Sequence, residues 1–175
     1  MISSLRLLLV TMVTLFAIGC SSTYKHSELQ PIETNLDSRK GVLISTPEDG
    51  WYGNTQYRGS GRMTASAVRA AFSKHASRVD LISNCHGDDC LDAIDVEKYG
   101  YYVKPEILHW EDRATEWSGK SDLIEIQLVI YDAVTRKELA NSSYTGKSKW
   151  ATFGGDHPQD LLPEPTYQYV NGLYQ

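Results

Sequence analysis

Alternation of apolar and polar side chains is strongest over Leu123–Asp132, where Ile124, Ile126, Leu128 and Ile130 share one side and Glu125 and Gln127 take the other. A period of two predicts a strand with one buried face. Tyr101–Trp110 predicts the strand before it. Pro105 there points to an edge position or a bulge, because proline cannot donate to a ladder. Asp132–Lys137 turns the chain and Glu138–Trp150 predicts a third strand, completing an antiparallel meander.

Upstream, the β-branched run Gly41–Thr46 predicts a strand stopped by Pro47. Asp49–Gly61 carries four glycines and predicts a long loop. Arg62–Ser77 has helical spacing, with Met63, Ala67, Ala71 and His75 on one stripe and Val68 and Phe72 beside it. Val79–Ile82 predicts a short strand, and Leu91–Lys98 a short helix with Gly100 just beyond it. Pro163 or Pro165 starts a last helix, with Tyr167, Val170 and Tyr174 as its buried stripe. The order predicts an α/β fold: a mixed sheet ending in an antiparallel three-strand meander, with helices packed on one face.

The first twenty residues read differently. After Arg6, the apolar run Leu7–Ile18 is shorter than the ~20 residues a membrane span needs, but suits the apolar region of a signal peptide. It ends in Ala17-Ile18-Gly19-Cys20, which resembles the bacterial lipobox, although Ala17 stands where leucine is commoner. The resemblance implies a signal peptide over residues 1–19, cleavage, and a diacylglycerol thioether with palmitate-type chains on Cys20. Several acyl chains anchor a protein stably. Ser21, in place of an aspartate, implies sorting to the outer membrane, with the chain facing the periplasm. Residues 20–40, polar and without periodicity, are expected to be a flexible tether reaching about 25 Å. Residues 41–175 are expected to form a single domain.

Of the 175 residues, 41% are hydrophobic and 22% charged, ordinary values for a globular domain. Loss of residues 1–19 removes Arg6 and no acid, so 17 basic and 22 acidic side chains become 16 and 22. An acidic body excludes nucleic acid as a partner, and a basic patch on anionic lipid. The membrane is a partner only through the lipid anchor.

Chemistry is sparse. Cys85 and Cys90 bracket Cys85-His86-Gly87-Asp88-Asp89-Cys90, and in an oxidising compartment a disulfide is expected, with zinc as the alternative. The meander returns the end of its third strand to the side where its first loop leaves. That brings Glu111–Asp122 beside Gly146–Asp160 and gathers Trp110, Trp117, Trp150 and Phe153, with His109, Glu111, Asp112, Arg113, Asp156 and His157 near them. Aromatics with convergent polar groups suit a glycan or peptide. Equally, these tryptophans can be buried lids on the sheet end. No fixed spacing unites His109, Asp156 and His157 as metal ligands, and neither a metal nor a cofactor is expected. Gly59-Ser60-Gly61 before a helix could cradle an anion or simply make the helix start flexible. Gly146-Lys147-Ser148 imitates the end of a P-loop, but Asn141 stands where its first glycine must be. A Gly-x-Ser-x-Gly nucleophile elbow is absent from the sequence.

The stretches Glu106-Ile107-Leu108-His109-Trp110-Glu111-Asp112-Arg113-Ala114-Thr115-Glu116-Trp117-Ser118-Gly119 and Lys147-Ser148-Lys149-Trp150-Ala151-Thr152-Phe153-Gly154-Gly155-Asp156-His157-Pro158-Gln159-Asp160-Leu161-Leu162 resemble two signatures of a proteobacterial lipoprotein family known as a domain of unknown function. The resemblance extends from about Gly41 to the end and implies no activity. In element order the chain is also similar to the small α/β domains of curli-secretion lipoproteins, penicillin-binding-protein activator lipoproteins and the TolB amino-terminal domain. Those dock proteins or assemble envelope machines. The expectation is therefore a non-enzymatic outer-membrane lipoprotein that contacts an envelope protein through the tryptophan-rich end. A glycan- or peptidoglycan-binding module, with cell-wall glycan as partner, is the alternative. A hydrolase using Asp, Glu or His in those loops comes third.

Overall fold

The computed structural model describes residues 22–85, 87–113, 120–149 and 157–175. In chain order these form β1 (Thr23–Gln30), β2 (Val42–Ser45), β3 (Trp51–Tyr52), β4 (Thr55–Gln56), α1 (Ser60–Phe72), β5 (Val79–Ile82), β6 (Tyr101–Glu111), β7 (Leu123–Asp132), β8 (Glu138–Lys147) and α2 (Pro163–Gly172). Two 3₁₀ turns, Gly87–Ala93 and Pro158–Leu161, complete the set. The main sheet runs β1-β8-β7-β6-β2-β5, while β3 and β4 pair separately as a hairpin. β2 lies parallel to both β5 and β6, and every other pairing is antiparallel. The expected α/β class, mixed sheet and terminal meander are all present.

Periodicity explains the core. Ile124, Ile126, Leu128 and Ile130 are all at most 1% exposed and share one cluster with Val42, Ile44, Tyr101 and Val103. α1 contributes Val68, Ala71 and Phe72 to that cluster, and the C-terminal segment adds Leu161, Leu162, Tyr169, Val170 and Leu173. Both α-helices thus cover the same face. The opposite face carries a smaller cluster of Leu43, Tyr102 and Cys90.

Several boundaries differ from expectation. The segment read as a flexible tether contains β1, paired antiparallel with β8 from Thr23↔Lys147 to Gln30↔Asn141. Its side chains are mostly exposed, so it carries no apolar period to read; backbone pairing to a neighbour makes it a strand. Within the glycine-rich loop, Trp51–Gln56 closes as the β3–β4 hairpin, with Gly53 at φ 57° in its turn. α1 begins at Ser60 and buries the expected Val68, Ala71 and Phe72, but its first two turns bury the small residues Ser60, Gly61, Thr64 and Ala65 and leave Met63 and Ala67 only partly buried. On α2 the buried side is Pro165, Thr166, Tyr169 and Val170, while Tyr167 is exposed. The short helix expected at Leu91–Lys98 is the 3₁₀ turn Gly87–Ala93 instead. β6 is an interior strand, yet its ladder with β2 ends at Val103, which frees Pro105 from donating on that side.

Candidate functional site

One extra residue in β6 decides which side chains face the core at its outer end. The β6–β7 register shifts between Ile107 and His109, leaving Leu108 as the inserted residue of a bulge. Tyr101, Val103 and Ile107 belong to the core side before it, and Trp110 belongs to the core side after it. Without the bulge, His109 would point inward. Trp110, expected on a contact surface, is instead 2% exposed and part of the core. Leu108 is pushed out to 50% exposure.

The outer end of the meander carries a polar network. Glu111, 1% exposed, accepts an ion pair from Arg113 Nε at 2.7 Å and faces His109 Nε2 at 3.2 Å. The Arg113 backbone N–H donates to Asp122 Oδ1 at 2.6 Å. The Asp122 main chain in turn donates its N–H to Ser148 Oγ and accepts the Ser148 N–H at its carbonyl. His157 Nδ1 lies 3.9 Å from Asp112 Oδ2, and its own N–H donates to Asp160. Both loop ends therefore meet on one side of the sheet, the geometry the meander requires. Trp117, Trp150, Phe153 and Asp156 lie outside the described residues, as does Cys20.

A second locus had no signal in the sequence. The hairpin leaves Trp51 56% and Tyr52 45% exposed. The Tyr52 ring meets the His109 ring edge-on, 5.3 Å between centroids. Beside it runs a groove of about 500 Å³ whose lining includes Glu48, Trp51, Lys104, Glu106, Ile107 and Leu108. The hairpin base is fixed from below. Gly50 N–H donates to Ser60 Oγ at 2.8 Å, and Tyr57 N–H donates to the Gly50 carbonyl at 2.9 Å. A Cβ on Gly50 would lie 2.7 Å from Trp110 Cβ, so only glycine allows the hairpin to approach β6 this closely. Asp49 accepts from the Gly59 and Gly61 N–H groups at 3.0 and 2.9 Å. The Gly59-Ser60-Gly61 segment that could have cradled an external anion thus already holds one, the carboxylate of its own chain.

The far wall of the groove is tied to a disulfide. Cys85 and Cys90 are bonded, as expected from their spacing. The Tyr102 hydroxyl donates to the Gly87 carbonyl at 2.6 Å; burial pushes this phenol up to about 12. Lys104 Nζ sits 2.9 Å from Asp88 Oδ1 and 3.3 Å from Glu106 Oε1. Burial works against its charge, but the bond to Asp88 and the Glu106 carboxylate outweigh that and raise it above the ordinary lysine value. Among the described residues, no three His, Cys, Asp or Glu side chains converge to hold a metal ion, and no helix is long and apolar enough to cross a membrane.

A small mixed sheet, covered by helices on one face and bearing an aromatic-walled groove, defines the molecule as an α/β sandwich domain. The chain belongs to the family described as "Domain of unknown function (DUF4823)", whose model matches residues 34–173. Among solved structures it is similar to the PelC dodecamer from Paraburkholderia phytofirmans, with TM-score 0.64 and 9% identity over 87% of this chain and 97% of that one. A point variant of the same PelC dodecamer, in a second crystal form, gives TM-score 0.65 at 8% identity, covering 87% and 98%. Protein XCC0632 from Xanthomonas campestris, of family DUF330, gives TM-score 0.53 at 14% identity, covering 81% and 87%. At such identities the likeness is one of fold. The sequence has no match among curated proteins.

Proposed function

We propose that this protein is an outer-membrane lipoprotein, anchored through Cys20 and facing the periplasm, with a non-enzymatic interaction or assembly role. The observation that carries the reading is β1. Three residues past Cys20 the chain enters the sheet at Thr23, as an edge strand with no pairing on its outer side among the described residues. An open edge strand is a template for pairing with another chain. The same type of fold, in PelC, is crystallised as a dodecamer, which supports an assembling rather than a catalytic role. The network around Glu111, Asp112 and His157 borders the tryptophan-bearing loops, which we keep as a second contact region.

Cys20→Ala should leave an unprocessed, non-lipidated precursor, while the wild-type protein fractionates with outer membrane. Efficient maturation of that variant to a soluble periplasmic form would sink the lipoprotein reading. A photo-crosslinking residue at Leu29, 59% exposed on β1, should give a discrete adduct in intact cells, identifiable by mass spectrometry. Absence of any adduct from Leu29 and from His157 would remove the assembly role. A glycan- or peptidoglycan-binding module is the second reading, favoured by the groove beside Trp51.

A further inference from the structure

We infer that the groove between the β3–β4 hairpin and the outer half of β6 binds a neutral glycan, with Trp51 as its stacking platform. The inference deepens the glycan-binding reading by giving it a site away from the tryptophan-rich loops.

Position and chemistry carry it. Trp51 is a large aromatic left 56% exposed on a hairpin whose base is immobilised by Ser60, Tyr57 and the Asp49 contacts. An indole carried beside a groove on a backbone fixed at its base leaves only its own side-chain rotations to be ordered on binding. The apolar face of a pyranose ring suits such a surface, and its hydroxyls need acceptors and donors at the edges. Glu48 and Glu106 supply acceptors on the lining, and the Lys104 ammonium supplies donors. Lys104 is pre-set by Asp88 and Glu106, and its side chain is only 12% exposed.

Charge narrows the ligand class. Among the described residues, Glu48, Asp49 and Glu106 line the groove together with a single cation, Lys104, which is itself already paired. An anionic ligand is therefore disfavoured. A lipid chain would need a closed apolar cavity, whereas this groove is open and edged by carboxylates. A protein partner would need an apolar centre shielded by a polar rim; here the charged groups lie on the lining itself.

The test is calorimetric titration of the purified full-length mature protein with chitotetraose, and in parallel with cellotetraose, which lacks acetamido groups. Saturable binding of at least one sugar is expected. Preference for chitotetraose would indicate an N-acetylated glycan of cell-wall type, and equal binding a general hexose site. Trp51→Ala should weaken binding about ten-fold or more, about 1.4 kcal/mol or more, with an unchanged melting temperature. Glu106→Gln should weaken it several-fold, again without unfolding. Binding unaffected by Trp51→Ala would overturn this site while leaving the glycan reading standing. Failure of the wild-type protein to bind either sugar would overturn this site, and failure to bind intact peptidoglycan sacculi as well would overturn the glycan reading too. Trp51-dependent self-association without sugar binding would assign the hairpin to a second copy and also overturn the proposal.

Discussion

Asp122 and Ser148 clasp the outer end of the meander from both directions. The Asp122 N–H donates to Ser148 Oγ at 2.8 Å, and the Ser148 N–H donates to the Asp122 carbonyl at 3.0 Å. Both residues are buried, so each bond replaces one that water can no longer make. Ser148→Ala strands the Asp122 N–H and should cost about 1–2 kcal/mol. Asp122→Ala keeps both clasp bonds, which use its main chain, but removes the acceptor for the Arg113 N–H and should cost about 1–3 kcal/mol. Urea denaturation of both variants measures this; unchanged stability of Ser148→Ala would show that the Asp122 N–H finds another partner.

The Cys85–Cys90 bridge holds Gly87 and Asp88 against Tyr102 and Lys104. Its ring is small, so its effect on the unfolded chain is modest, and replacing both cysteines by alanine should cost about 1–3 kcal/mol. Alkylation without reductant should leave both sulfurs unmodified in exported protein. Two reactive thiols with stoichiometric zinc would restore the metal alternative. In the double variant the Lys104 wall should loosen, raising amide exchange at Gly87–Ala93 while β7 and β8 stay protected.

Asp49 serves as an anion for the start of α1, accepting from two glycine N–H groups at once. Asp49→Ala should cost about 1–2 kcal/mol, the scale of a lost helix cap. Asp49→Asn keeps one acceptor oxygen and should recover part of the loss. Equal stability of wild type and Asp49→Ala by chemical denaturation would show that water substitutes for the carboxylate.

Alkali should unfold the protein through its tyrosines. Burial pushes Tyr102 up to about 12 and raises Tyr144, Tyr169 and Tyr174 further. An unfolded phenol ionises near 10. Below that pH both states keep the proton and stability is unaffected. Above it the unfolded chain releases protons that the native state retains, so stability falls with rising pH. Phenolate absorbance should therefore rise in two stages, exposed tyrosines first, and Tyr102, Tyr144, Tyr169 and Tyr174 later, together with loss of circular dichroism. A single titration near 10 of all eleven tyrosines, with the fold intact, would contradict the burial argument.

How much of this is legible in the sequence follows from what each residue contributes. Ile124, Ile126, Leu128 and Ile130 announce β7 because their burial is one-sided and strictly alternating. β1 is silent, since Thr23–Gln30 is stabilised by main-chain pairing with β8 and buries little. On α1, Val68, Ala71 and Phe72 are legible, but the burial of Ser60, Gly61 and Thr64 by close packing is not, since small polar residues carry no hydrophobic period. Trp110 departs from expectation for a sharper reason. The Leu108 insertion reverses the side on which every later residue of β6 falls, and nothing in its own chemistry marks a bulge. The same insertion exposes Leu108 on the groove that Trp51 also lines, so the groove arises from a register shift that residue types alone do not reveal. The meeting of the two loop ends at Asp112 and His157 is legible, because meander connectivity fixes it whatever residues fill the loops.

The family match begins at residue 34, past the end of β1. A shortened chain cut at that boundary would lose the strand that covers β8 from Lys147 to Asn141. The main-chain amides and carbonyls of β8 on that side would become an open border able to recruit like chains, and His26 would no longer meet Ser142. Solubility would then depend on dilution. The boundary drawn by sequence likeness and the boundary at which the sheet is complete differ by one strand, and only the second leaves β8 paired on both sides.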